Sequence, residues 1–339
     1  MRRRVIIRLL IGALVLLHLG IALAGFISPY DPATQNREAA YAPPTHIHFV
    51  DANGFHLRPF IYAEIADFDT YQENTAREYP LHFFVRGATY KLFGLFPSSC
   101  HLFGVNAPGQ LFLLGTDSYG RDVFSRLFYG GQVSLAAGLL ATFITLAVAA
   151  IIGTISGYYG RWVDESLMGS AELFLSLPWF YFLVGLRAFL PLHLRPTSTF
   201  LLIIAVIGVI GWARPARLVR GIVLSARNRN YVLAARGFGG SDFYLLRRHI
   251  IPETFAILLT QAALLIPQYI AAEAVLSFFG LGISEPVPSW GNMLSALQQY
   301  SVLVSYHWLL APAVALVVTS VMYWLLADAI HHWLQSQSI

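Results

Sequence analysis

The stretch YVLAARGFGGSDFYLLRRHIIP, Tyr231–Pro252, separates two long apolar runs with a pair of alanines, a cluster of glycines and an arginine doublet. Ala234 and Ala235 are strong helix formers, so residues 229–236 predict the end of a helix leaving the preceding run. Gly237, Gly239 and Gly240 supply the left-handed backbone that a tight turn needs. Ser241 or Asp242 can cap a second short helix, with Phe243, Leu246 and Ile250 at i, i+3 and i+7 on one face and Arg247 and Arg248 on another. Pro252 marks the join to the next apolar run. The spacing therefore predicts a small rigid knob held between two hydrophobic helices.

Working outward, the composition says what those helices sit in. The chain has 339 residues, 56% hydrophobic and only 12% charged, with a mean hydropathy of +0.59; soluble domains carry about a quarter charged residues. Six runs are long and apolar enough to cross a bilayer: Leu9–Ile27, Val133–Gly157, about Leu173–Leu190 with Pro178 as a kink, a run from Thr199 through Trp212, Ala256–Gly282, and Trp308–Ile330. The fold class expected is an all-α polytopic membrane protein. The first run follows Arg2, Arg3, Arg4 and Arg8 and ends near Ala22-Leu23-Ala24, which also resembles a signal cleavage site; its length favours a retained span.

Arginine placement sets the orientation. Eight arginines lie between Arg214 and Arg248 against one acid, Asp242, whereas residues 283–307 hold no Lys or Arg. The positive-inside rule then places the N-terminus, the 214–252 loop and the C-terminus in the cytoplasm, and residues 28–131 outside. The net charge of +4 is a matter of topology, and no nucleic-acid partner is expected.

Residues 28–131 turn polar, with seven Lys/Arg and ten Asp/Glu, yet remain rich in aromatics. YAPPTHIHFVDANGFHLRPFIY alternates polar and apolar residues around Asn53-Gly54, which predicts a short hairpin. His46, His48 and His56 lack further ligands at metal-site spacing, and Cys100 is the single cysteine, so no metal site, disulfide or cofactor is expected. Asp117–Arg121 and Asp122–Arg126 have i,i+4 spacing, which predicts two ion pairs on an interfacial helix; without a nucleophile, metal cluster or histidine partner they make no catalytic site.

The knob resembles the EAA loop of permease subunits of ABC importers, whose pattern is Glu-Ala-Ala, three residues, Gly, nine residues and Ile-x-Leu-Pro. Ala234, Ala235, Gly239 and Pro252 match at that spacing, while Leu233 replaces Glu, His249 the Ile and Ile251 the Leu. LGTDSYGRDVFSRLFYGGQVSL, AEAVLSFFGLG and PVPSWGNML resemble segments of the dipeptide, oligopeptide and nickel branch, in the same order. Residues 28–113 exceed the loop usual in that family.

The resemblance implies a six-helix, type I ABC importer transmembrane-domain fold with a mixed extracytoplasmic insert. It divides the chain into an N-terminal helix (1–28), an extracytoplasmic segment with interfacial helix (29–131) and a five-helix permease core (132–339) with the coupling loop at 214–252. It implies an inner-membrane subunit that moves peptides or a similar small solute by alternating access. The partners implied are a second homologous permease, two ATP-binding subunits, an extracytoplasmic solute-binding protein and membrane lipid. No G-x-x-x-x-G-K-[ST] loop occurs, so ATP chemistry belongs to other chains and this one is not an enzyme. Ala234, Ala235, Arg236, Gly239, Ser241, Asp242 and Pro252 are the coupling residues expected. Gln261, Gln268 and Glu273 interrupt the fifth span and are candidates for the translocation path, or for hydrogen bonds to a partner permease. The rival class is a membrane-anchored regulatory or interaction protein working through its extracytoplasmic segment. The substrate itself is not legible.

Overall fold

A computed structural model of the protein describes residues 2–51, 54–67, 70–176, 178, 181, 184–185 and 195–335. The elements run α1 (Arg2–Ala22), α2 (Ala24–Ile27), β1 (His48–Asp51), β2 (Gly54–Asp67), β3 (Thr70–Pro80), β4 (His82–Leu92) and β5 (Phe96–Gly104). There follow α3 (Val123–Tyr159), α4 (Arg161–Ser176), α5 (Pro196–Ile210), α6 (Ala213–Ala226), α7 (Asn230–Gly237), α8 (Asp242–Leu245) and α9 (Ile251–Phe278). The chain closes with α10 (Trp290–Leu294), α11 (Tyr300–Ser305) and α12 (Ala311–Gln335). Two compact units emerge, one of residues 1–14, 136–276 and 318–339, the other of residues 15–135 and 277–317.

Among the described residues, four helical stretches are long and apolar enough to cross a membrane: Val5–Ala22, Val123–Tyr159, Asp242–Phe278 and His307–Ile330. The pair α5 and α6 makes a fifth if its 43° bend is taken within one span. These correspond to five of the predicted runs; the run at about Leu173–Leu190 lies largely outside the described residues.

In the first unit, small residues let helix backbones approach. Gly138 of α3 faces Ile270 and the Ile266 carbonyl of α9, Gly153 faces Ala216 and Val219 of α6, and Gly157 faces Val223. A Cβ on Gly153 would come within 2.5 Å of the Ala216 carbonyl oxygen. Lipid tails are as apolar as leucine, so spanning helices associate through close packing, and a side chain at these glycines would push α3 off its neighbours. The bend between α5 and α6 falls at Gly211 and Trp212, and Pro215 sits in the first turn of α6, where its missing N–H is harmless. Beside the bend, the Thr145 hydroxyl donates to the Gly208 carbonyl at 2.8 Å and lies 3.0 Å from the Tyr269 hydroxyl.

The second unit holds the β structure. β1, β2 and β3 form an antiparallel sheet, with Asp51 opposite Gly54 at the hairpin predicted from the Asn53-Gly54 signal. β4 and β5 form a separate hairpin with Leu92 opposite Phe96. Ile61, Leu81 and Leu111 centre one apolar cluster, and Val123, Val302 and Leu309 another.

The predicted interfacial helix is not formed as drawn. Thr116 bridges to Asp122 across a tight turn, and helix begins only at Val123. Asp122 is spent on that helix start: its Oδ2 accepts the Ser125 amide at 2.8 Å and the Ser125 hydroxyl at 2.6 Å. A short acid three residues before a serine is capping chemistry, which here overrides i,i+4 pairing.

Candidate functional site

The knob is built as a capped turn between α7 and α8. At the end of α7 the Gly240 amide donates to the Ala235 carbonyl and the Gly239 amide to the Arg236 carbonyl, both at 3.0 Å, with Gly239 at φ +82°. That pair of bonds closing through a left-handed residue is a Schellman end. Of the three glycines, Gly239 alone takes the left-handed conformation. Gly240 is required for another reason: a Cβ there would sit 2.8 Å from the Ala235 carbonyl oxygen. Ser241 is the N-cap of α8, accepting the Tyr244 amide at 3.3 Å.

Phe243, Leu246 and Ile250 do not share one face as their spacing predicts. Leu246–Ile250 is a π-turn, so the side chains that go inward are Leu245 and Ile250, five residues apart, with Leu246 half-buried. Phe243 points to solvent and is 71% exposed. The extra residue per turn shifts the register that a 3.6-residue period assumes. Leu245 and Ile250 pack with Val232, Val219, Val223, Ala226 and Tyr158 into one cluster, which seats the knob on α3 and α6.

Polar contacts fix the same seat. The Tyr158 hydroxyl donates to Asp242 and accepts from Arg236 at 2.9 Å, so both sides of the turn are tied to the end of α3. Arg227 donates to the Gly157 and Tyr158 carbonyls at 3.0 and 3.2 Å. Glu253, in the first turn of α9, takes Arg229 at 3.0 Å and the Tyr231 hydroxyl. Ala234, Ala235, Arg236, Gly239, Ser241 and Asp242 are thus gathered at one turn, while Pro252 opens α9. Outward, Leu233, Phe238, Phe243 and Tyr244 are exposed, Phe238 at 93%. A capped turn that buries Val232, Leu245 and Ile250 and displays two phenylalanines is a docking surface in form. Tyr158 was not legible in the sequence because it lies 84 residues from Asp242.

The intramembrane polar residues separate. Gln268 lines a cavity of about 240 Å³ with Arg214, Gly211 and Tyr269 beside the α5–α6 bend. Gln261 is half-buried two turns earlier on the same helix, and Glu273 is fully buried; neither lines that cavity. Arg214 makes no ion pair among the described residues, and in the sequence it is one of eight arginines between 214 and 248 with no local feature to single it out.

The second unit carries its own charge cluster. Arg121 binds Asp117 at 2.7 Å and Glu285 at 2.6 Å; Arg126, 2% exposed, binds Glu285 at 2.8 Å and the Pro32 carbonyl at 3.2 Å. Of the two predicted pairs, Asp117–Arg121 forms, whereas Arg126 turns away from Asp122 to Glu285. The cluster lines a cavity of about 350 Å³ with Tyr41, Tyr119 and Asn292. Two arginines facing two carboxylates leave little net charge there. No group of three or more His, Cys, Asp and Glu residues placed to hold a metal ion occurs among the described residues.

Several helices long and apolar enough to span a membrane, with a seated and displayed turn between two of them, define an integral membrane protein with a protruding turn. The chain belongs to the family of binding-protein-dependent transport system inner membrane components, whose pattern matches residues 149–337, more than half of its length. It is 36% identical to the dipeptide transport system permease protein DppC of Bacillus subtilis, over 64% of this chain and 66% of that one. It is 39% identical to the oligopeptide transport system permease protein OppC of Haemophilus influenzae, over 53% of this chain and 56% of that one. The inward-facing MetNI methionine ABC transporter aligns with 60% of this chain and 94% of its own at 17% identity and a TM-score of 0.43, too low to add to the family match. The protein is therefore an integral inner-membrane permease subunit of an ABC importer, with the type I transmembrane-domain fold. It is not an enzyme; the ATPase activity of such systems is in separate subunits, and the family in general works with a partner permease and a solute-binding protein.

Proposed function

We propose that the protein moves peptides, or a chemically similar small solute, inward, and that Tyr231–Pro252 is where ATP hydrolysis on a separate subunit drives it. The observation that carries this reading is the displayed face of the knob: Phe238 and Phe243 stand outside a turn whose opposite side is locked onto α3 and α6. An apolar pair held on a rigid base suits a groove on an ATP-binding subunit, and Leu233 in place of a glutamate makes that contact one of shape. A push on the knob passes to α6 and α9 as rigid elements, in the manner of packed helices that move between discrete arrangements. The names of the dipeptide and oligopeptide relatives support the substrate class.

The working assembly in this reading holds a second homologous permease, two ATP-binding subunits and an extracytoplasmic solute-binding protein. The chain crosses the membrane six times, with a third span at about Leu173–Leu190 and both termini in the cytoplasm. Its organisation is an N-terminal span (1–28), an extracytoplasmic mixed insert (29–131) and a five-span core (132–339), with Gln268 on the path. The test is Phe243→Asp in the reconstituted transporter, with uptake of a labelled oligopeptide as the readout. Uptake and peptide-stimulated ATP hydrolysis should fall together while the chain still inserts, and normal uptake would overturn the coupling role.

A further inference from the structure

The β4–β5 hairpin stands beside the C-terminal end of a membrane-spanning helix. Its contacts fall on the last residues of that helix and on the chain just after it. Toward the open end of the hairpin, Phe84 meets Phe26 with ring centroids 6.3 Å apart, and His101 Nδ1 lies 2.6 Å from the Ser28 carbonyl oxygen. Nearer the tip, the Tyr90 ring lies against Gly25, and Thr89–Leu92 share a cavity with Ala22, Gly25, Asp31, Tyr129 and Gln132. Ala22 ends the apolar stretch Val5–Ala22, and Gln132 lies within the spanning stretch Val123–Tyr159. The hairpin therefore points toward the bilayer. At about 3.3 Å per strand residue, its last residues lie further along that direction by one lipid-interface depth, roughly 5–10 Å.

What it carries there is apolar. Phe93, Leu95 and Phe96 are exposed, Leu95 at 75%, although nothing in the fold needs them outside. Lys91, the only lysine in the chain, is exposed immediately before them. Two hydrogen bonds close the turn: the Gly94 amide donates to the Lys91 carbonyl at 3.2 Å and the Leu95 amide to the Leu92 carbonyl at 3.1 Å. Unpaired backbone is expensive in hydrocarbon, so a closed turn tipped with Phe, Leu and Phe and edged by a lysine has the chemistry of an interfacial anchor. We propose that Lys91–Phe96 seats in the lipid leaflet around the C-terminal end of α1, with Phe93, Leu95 and Phe96 at the acyl boundary and Lys91 among the phosphates. The hairpin then braces the first span against the bilayer.

The test uses a nitroxide spin label on Leu95→Cys, with Cys100→Ser as background, in the full-length chain assembled with its partner subunits. The transporter is reconstituted into vesicles of phosphatidylethanolamine and phosphatidylglycerol, and Thr75→Cys, an exposed β3 position, is the reference. Collisions with oxygen, which concentrates in lipid, are compared with collisions with a water-soluble nickel chelate. The expected result is a severalfold higher oxygen-to-chelate ratio at position 95 than at position 75. Equal ratios overturn the proposal in favour of a solvated tip, and loss of collisions with both reagents overturns it in favour of a covering protein surface. Should Leu95→Cys fail to insert, Phe96→Cys provides the same readout.

Discussion

Tyr158, at the end of α3, donates its hydroxyl to Asp242 at the start of α8, joining residues 84 apart in sequence. Because Arg236 reaches the same hydroxyl from the other side of the Gly239 turn, one buried phenol holds both arms of the knob. Apolar packing of Leu245 and Ile250 supplies the seat, and this bond fixes the orientation.

Tyr158→Phe keeps the ring in its cluster and removes the clamp. Asp242 is solvent-exposed, so the loss is about 1 kcal/mol of local stability, or roughly fivefold faster hydrogen exchange at amides of α7 and α8. Peptide-stimulated ATP hydrolysis should fall with it. Unchanged exchange at those amides would remove Tyr158 from the account of the knob.

The two turn glycines separate strain from contact. Gly239→Ala meets open space and costs about 1 kcal/mol for a left-handed alanine. Gly240→Ala drives a methyl onto the Ala235 carbonyl and breaks the closing hydrogen bond, so it should perturb exchange across the turn more than Gly239→Ala does. The reverse ranking would mean that backbone strain, and not the close approach, governs this turn.

Asp122 gives the second unit a pH signature. Burial pushes its carboxyl up to about 6, against the hydrogen bonds from Ser125 that pull the other way. A carboxyl whose folded pKa lies above its unfolded value of 3.8 favours the folded state when protonated. That contribution is complete below the unfolded value and is lost as pH rises through about 6. Asp122→Asn should flatten the pH dependence of the unfolding midpoint across that window, measured on the purified protein in detergent. A variant with the same slope as the parent would show that other groups set it.

The membrane class, five of the spanning runs and the position of the knob follow from local information. Apolar length, arginine placement and the Ala-Ala…Gly…Pro spacing are properties of short windows, and a spanning helix satisfies its own backbone within one window. The Asn53-Gly54 hairpin was legible for the same reason, since a turn and two alternating flanks are local. Pairings across long separations were not. A 3.6-residue period puts Phe243 on one face with Leu246 and Ile250, but the π-turn pairs Leu245 with Ile250 inward and leaves Phe243 exposed. Arg126 was assigned to Asp122 by spacing, but Glu285, 159 residues away, takes it once Asp122 caps α3. Sequence alone thus determined that this chain crosses a membrane and carries a knob between two of its spans, because solvent and backbone hydrogen bonding dictate both. Tertiary structure alone decided which side chains the knob shows, what Tyr158 holds and where the β4–β5 tip points, because each depends on which distant residue arrives within hydrogen-bonding or packing reach.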